Sequence, residues 1–136
     1  MYTIISGTHR VASYTERVAS EYRRILLEKE IDAGILTLKN MDVLKRSPEF
    51  IEIENEILIP TRKFIFIIPE YNGTFPGVLK AMIDNSDISK VWYHKKALLT
   101  GVSTGRAGNL RGMDHLSASL HASSPGISHI NLAFIS

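Results

Sequence analysis

The stretch Phe64-Ile65-Phe66-Ile67-Ile68-Pro69-Glu70-Tyr71-Asn72-Gly73-Thr74-Phe75-Pro76-Gly77 carries an unbroken apolar run straight into a polar, glycine-punctuated loop. A strand covered by helices on both faces reads as a continuous apolar run, whereas a half-exposed strand alternates. The run therefore predicts a central parallel strand. In open sheets of that kind, small molecules bind in the crevice beyond the carboxyl ends of the strands, which places a candidate site on the loop from Pro69 onward. Gly73 and Gly77 allow close backbone approach, and Pro76 marks a helix start because its missing N–H costs little in a first helical turn. Read by itself, the segment is equally compatible with an ordinary tight connection between strand and helix.

Working outward, strand and helix patterns alternate along the chain, the signature of βαβ units. Tyr2 to Ser6 is the first strand, and Gly7 to Ala12 a loop. Val18, Tyr22, Ile25 and Leu26 then recur at helical spacing, with Gly34 expected to break that helix before a short second strand, Ile35 to Leu38. Ser47-Pro48-Glu49 is a strong helix start, followed by Phe50, Ile53 and Ile57 on one face and ended by Pro60. Gly77 to Asn85 is the third helix, with Val78, Leu79, Met82 and Ile83 facing the sheet. A connector containing Trp92 and Tyr93 leads to the fourth strand, Ala97 to Gly101. Gly108 and Asn109 introduce a helix whose stripe is Leu110, Met113, Leu116 and Leu120. Pro125-Gly126 reads as a turn, and Ile130 to Ile135 as a fifth strand.

Composition narrows the function classes. With 136 residues, 44% hydrophobic and 22% charged, the chain suits one globular domain, residues 1–136. A net charge of +2 with dispersed lysines and arginines does not describe a nucleic-acid surface. The absence of cysteine excludes disulfides, thiolate metal sites and cysteine nucleophiles. Met1 to Ser6 lacks the basic and long apolar regions of a signal peptide, and no apolar run approaches the roughly 18 residues of a membrane span, so the expectation is a soluble, cytoplasmic protein. Of the five histidines, His115 and His121 fall on different faces of their helix, and no metal site is expected. No G-x-S-x-G elbow supports a serine hydrolase.

Two further loops share the chemistry of the Pro69 loop. Ser6-Gly7-Thr8-His9-Arg10-Val11-Ala12-Ser13-Tyr14-Thr15 combines glycine, hydroxyls and an arginine just before a helix, whose N-terminal amides favour an anion. It suits a phosphate, although Ser13 or Thr15 serving as a helix cap and Arg10 simply solvated explain the same residues. Gly101-Val102-Ser103-Thr104-Gly105-Arg106-Ala107-Gly108-Asn109 is also rich in glycine and hydroxyls, but has neither P-loop nor dinucleotide spacing. In the strand order 2-1-3-4-5 the ends of strands one, three and four are neighbours around the switch point. All three loops then face one crevice.

At these residues the chain resembles the NADPH-dependent FMN reductase family, which includes quinone, azo-dye and chromate reductases. The first-loop pattern G-[ST]-x-R-x-x-S-x-[NT] matches Gly7, Thr8, Arg10, Ser13 and Thr15, and P-E-Y-N-G-x-x-P-G matches Pro69 to Gly73 with Pro76-Gly77. The likeness runs in register from Met1 to about Leu120. It implies a flavodoxin-like three-layer α/β sandwich on a five-stranded parallel sheet of order 2-1-3-4-5, with FMN as cofactor and NADPH or NADH as co-substrate. It also implies phosphate contacts from Thr8, Arg10, Ser13 and Thr15. The isoalloxazine ring would lie against Pro69, Glu70, Tyr71, Asn72 and Gly73, with Ser103, Thr104 and Gly105 on its other edge. Glu70 is read as structural, since the flavin carries the reaction.

Tyr71 either edges the flavin or covers its own loop, and Arg106 is either a contact for the NADPH 2′-phosphate or a solvated side chain. The implied activity is electron transfer from NAD(P)H through bound flavin to a soluble acceptor such as a quinone, free flavin, azo compound or metal oxyanion. Family members continue past strand five into a final amphipathic helix, here missing after Ser136. The expectation is self-association as a homodimer or homotetramer to cover the exposed sheet face, or else unusual mobility near strands one and five; the rival function is flavin binding without effective turnover. Trp92 and Tyr93 are candidates for such a contact, or pack on the protein's own fourth strand.

Overall fold

The structure, a computed structural model, describes residues 1–105, 107–122, 127 and the backbone of 129–135. Strands β1 (Tyr2–Ser6), β2 (Ala33–Thr37), β3 (Lys63–Pro69) and β4 (Lys96–Val102) form a parallel sheet in the order β2-β1-β3-β4, and β5 (His129–Ile135) pairs along the free side of β4. Register is set by Ile4 opposite Ile35 on one side and Ile65 on the other, and by Ile65 opposite Leu98.

The apolar run of β3 splits by strand periodicity into two buried faces. Ile65 and Ile67 join Ile4, Ala33 and Val102 beneath Val18 and Ala19 of α1 (Tyr14–Glu28). Phe64, Phe66 and Ile68 enter the larger cluster on the opposite face. That face is covered by α2 (Pro48–Ile53) with its π-helical continuation Glu54–Leu58, by α3 (Gly77–Asn85), by α4 (Ile88–Val91) and by α5 (Leu110–His121). A continuous run is what burial on both faces demands. The result is the three-layer α/β arrangement of flavodoxin-like folds. Among the described residues no helix is long and apolar enough to cross a membrane.

Helix starts follow their caps. The Ser13 hydroxyl accepts the Glu16 N–H at 3.1 Å, and the Ser47 hydroxyl accepts the Phe50 N–H at 3.2 Å ahead of Pro48. Four expectations need correction. Gly34 does not break α1 but lies inside β2. The helix has already closed at Glu28, where Glu30 N–H reaches Leu27 C=O and Ile31 N–H reaches Leu26 C=O with Glu30 at φ 60°. That closure normally uses glycine, so an ordinary glutamate hid it.

The connector after α3 contains a further short helix, α4, capped by the Asp87 carboxylate accepting from Lys90 N–H. Trp92 is not a surface aromatic. It is 2% exposed, packs on Phe64 and Phe66 of β3 at 5.0 and 6.2 Å between ring centres, and donates its indole N–H to the Ser86 hydroxyl. Leu110, expected on the buried stripe, is half exposed at the first position of α5, and the stripe begins at Met113. The turn expected at Pro125-Gly126 lies outside the described residues.

Candidate functional site

Beyond β1 the chain is pressed against β3. Gly7 N–H donates to Ile67 C=O at 2.9 Å, and a Cβ at Gly7 would stand 2.8 Å from that oxygen, so a side chain is excluded. Thr8 is buried and its hydroxyl accepts the Arg10 N–H at 3.2 Å. Ser13 caps α1, leaving the amides of Tyr14 and Thr15 at the positive end of a 15-residue helix. Capping uses the hydroxyl oxygen of Ser13 and leaves its proton available. The two readings of this residue are therefore compatible.

Beyond β3, Tyr71 and Thr74 exchange N–H···O bonds of 2.8 and 3.2 Å around Asn72 at φ 52° and Gly73 at φ 85°. Two successive positive φ values make a primed two-residue turn, which an Asn-Gly pair favours. The Glu70 carboxylate accepts the Gly73 N–H at 3.1 Å and so braces the turn. From the far side, Thr74 shares a 2.8 Å bond with His115 of α5. Tyr71 points back toward the first loop: its hydroxyl bonds that of Thr8, its ring lies 4.2 Å from the Arg10 guanidinium carbon, and His9 meets it edge-on.

At the end of β4, a Cβ on Gly101 would collide with Gly108 C=O of the loop that follows, so only glycine admits this close approach. Ser103 bonds Gly105 through its hydroxyl, accepting the N–H at 3.0 Å. Asn109, 2% exposed, ties the loops after β3 and β4 together. Its side-chain amide donates to Ile68 and Pro69 C=O at 3.1 and 2.9 Å while its carbonyl caps α5 at Gly112 N–H. In the sequence Asn109 reads only as part of a helix start, and its position just before an apolar stripe is the signal for its capping role.

Together these loops border a crevice of about 880 Å³ walled by Arg10, Ser13 and Thr15, by Pro69, Glu70 and Tyr71, and by Ser103, Thr104 and Gly105, with Val11, Tyr14 and Val102 as apolar additions. Asn72 and Gly73 stand off its wall, at the turn that supports Tyr71. Thr8 lies behind the wall, bonded to Tyr71. Arg106 lies outside the described residues. The volume is within the range of small-molecule and cofactor sites. At one end it offers a guanidinium, hydroxyls and helix N-terminal amides, a donor set for a phosphate; elsewhere its walls are Pro69, Val102 and loop backbone, suited to a flat ring.

The family profile NADPH-dependent FMN reductase matches residues 2–131. The chain belongs to this family. Among curated relatives, a 2-hydroxy-1,4-benzoquinone reductase from Burkholderia sp is 29% identical over 89 residues, 63% of this chain and 49% of that protein. A quinone reductase from Pseudomonas putida is 28% identical over 120 residues, covering 82% and 64% respectively. The chain thus spans about half to two thirds of the length of the curated relatives it matches. Among solved structures, the apo form of the NADH:FMN oxidoreductase EMOB superposes with a TM-score of 0.78 at 21% identity, over 97% of this chain and 74% of that one. An FMN-dependent NADH-azoreductase from Bacillus anthracis, solved with FMN, gives 0.59 at 15% identity over 97% and 85%. At such identities these two structures speak for the flavodoxin-like fold alone. In this FMN reductase family member, each of the two motifs puts three of its residues on the crevice wall, Arg10, Ser13 and Thr15 from the first and Pro69, Glu70 and Tyr71 from the second.

Proposed function

We propose that the chain is an FMN-dependent NAD(P)H oxidoreductase that passes reducing equivalents to a small soluble acceptor, a quinone foremost. The observation that carries this reading is the convergence of three loops on one crevice whose cationic, hydroxyl-rich end abuts the start of α1. Arg10, Ser13, Thr15 and the first amides of α1 would hold the phosphate, with Thr8 supporting them. Pro69 and the Ser103–Gly105 loop would hold the ring, Tyr71 would stand between ring and phosphate with its side chain turned to Thr8 and Arg10, and Asn72 and Gly73 would act through the turn they form. FMN, when bound, accepts hydride from a nicotinamide and hands electrons on.

The protein's part is to bind, orient and leave one side open. Val11 and Tyr14 are 75% and 56% exposed, so the crevice mouth is accessible to a nicotinamide and then to an acceptor. Glu70 is committed to the Gly73 amide and is assigned no proton transfer. Arg106 is proposed as the residue that favours NADPH. The test is NADPH oxidation by FMN-loaded protein with menadione, free flavin or an azo dye as acceptor. Turnover with menadione supports the reading, and bound flavin with no turnover on any of them refutes it. Arg106→Ala is expected to raise KM for NADPH and leave KM for NADH unchanged.

A further inference from the structure

Resting on the FMN reading above, we propose that Tyr71 is the positioning residue of the phosphate subsite, and that through it the chain distinguishes a phosphorylated flavin from one without phosphate. Tyr71 belongs to the loop after β3, yet its side chain is spent on the loop after β1. Its hydroxyl bonds the Thr8 hydroxyl across 63 residues of sequence, and its ring carries the Arg10 guanidinium at 4.2 Å.

Each contact prepares a donor. Thr8 Oγ1 already accepts the Arg10 N–H. Two hydroxyls joined by one bond retain one proton between them, and when Thr8 donates, that proton stays on the Tyr71 hydroxyl, the member of the pair that lines the crevice, with no other acceptor for it among the described residues. That proton remains for an anion. A guanidinium stacked on an aromatic face keeps its edge N–H groups free. Arg10 is otherwise an exposed side chain, so fixing it in advance removes part of the entropy lost when it closes on a ligand. One tyrosine thus orders the charge and a hydroxyl together, and Glu70 and the Asn72-Gly73 turn hold that tyrosine in place.

A tyrosine acting this way affects only ligands that carry the phosphate, whereas one that merely touches the ring affects every flavin equally. The experiment measures Kd for FMN and for riboflavin by quenching of flavin fluorescence, on the wild-type chain and on Tyr71→Phe, Tyr71→Leu, Thr8→Val and the Thr8→Val/Tyr71→Phe pair. Tyr71→Phe keeps the ring and is expected to raise the FMN Kd about fivefold with riboflavin held within about twofold, the loss of one hydrogen bond. Tyr71→Leu, which also frees Arg10, is expected to raise the FMN Kd about thirtyfold. In the Thr8→Val background, Tyr71→Phe is expected to add nothing further.

Equal weakening of both flavins by Tyr71→Phe, or an FMN Kd that does not move, overturns the proposal while leaving FMN binding intact. Failure of the wild-type chain to bind either flavin overturns the functional reading and this inference with it. Melting curves accompany each variant, and Tyr71→Phe, which preserves the packing, carries the decision if Tyr71→Leu does not fold.

Discussion

The two ends of the sheet are built from similar residues and behave oppositely. Below the amino ends of the strands, Thr3 and Thr61 share a 2.6 Å hydroxyl bond, Thr61 also donates to Ile57 C=O, and the buried Lys95 ammonium donates to Ile59 and Thr61 C=O at 2.7 and 2.6 Å. These groups spend their hydrogen-bonding capacity on each other. Above the carboxyl ends, threonines, serines and an arginine line an open crevice, and the buried Ser6 hydroxyl at the tip of β1 has no partner among the described residues. Composition alone does not separate a ligand site from a structural polar cluster. Whether donors are already consumed does.

If that distinction holds, closed networks should answer to stability measurements and the crevice to ligand binding. The largest expected effect is at another closed network, Glu54, whose buried carboxylate takes both Arg46 guanidinium nitrogens at 2.7 and 2.9 Å and the Asp87 N–H at 2.6 Å. Glu54→Ala is expected to cost about 3 kcal/mol in urea unfolding. Arg46 holds the Glu54 carboxyl below its ordinary value, with burial opposing and the Asp87 amide adding to the shift. A depressed carboxyl binds fewer protons folded than unfolded, so its stabilisation is complete above the ordinary glutamate range and is lost as pH falls through the depressed value. Glu54→Gln should flatten that acid limb.

Next is Lys95→Met, expected to cost about 2 kcal/mol by leaving Ile59 and Thr61 C=O short of a donor, with flavin affinity unchanged. Burial, with Arg62 nearby, holds the Lys95 ammonium below its ordinary value. Here the unfolded chain binds more protons, so stability should rise with pH between the depressed and ordinary lysine values, a slope absent in the methionine variant.

Arg10→Ala reverses the pattern. It should weaken FMN binding by at least about tenfold, while urea stability stays within about 0.5 kcal/mol. Smallest of all, Ser103→Ala should weaken FMN about threefold or less, because that hydroxyl is already engaged with Gly105. A large stability loss in Arg10→Ala, or lost flavin affinity in Lys95→Met, would dissolve the contrast between the two ends.

The same contrast bounds what was legible in the sequence. The β3 run announced burial on both faces, and the hydroxyl and glycine loops announced where donors gather, because both signals are local. Contacts made across the fold were not legible. Nothing in Pro69–Gly77 tells that Tyr71 turns toward Thr8 and Arg10 while Asn72 and Gly73 stand off the crevice wall, nor that Asn109 reaches back to Ile68 and Pro69. Trp92 reads equally as a contact between subunits or as packing on the fourth strand, because nothing local tells that Phe64 and Phe66 of β3 lie beneath it. Glu30 closing α1 in a left-handed conformation defeated a rule that looks for glycine.

Three loops that form one cradle for a phosphorylated planar redox group must bind FMN, and titration of the wild-type chain with FMN is the decisive measurement. The expected result is saturable quenching of flavin fluorescence at one FMN per chain, tighter than for riboflavin and weakened by Arg10→Ala. Quenching that never saturates, or that Arg10→Ala leaves untouched, would contradict it.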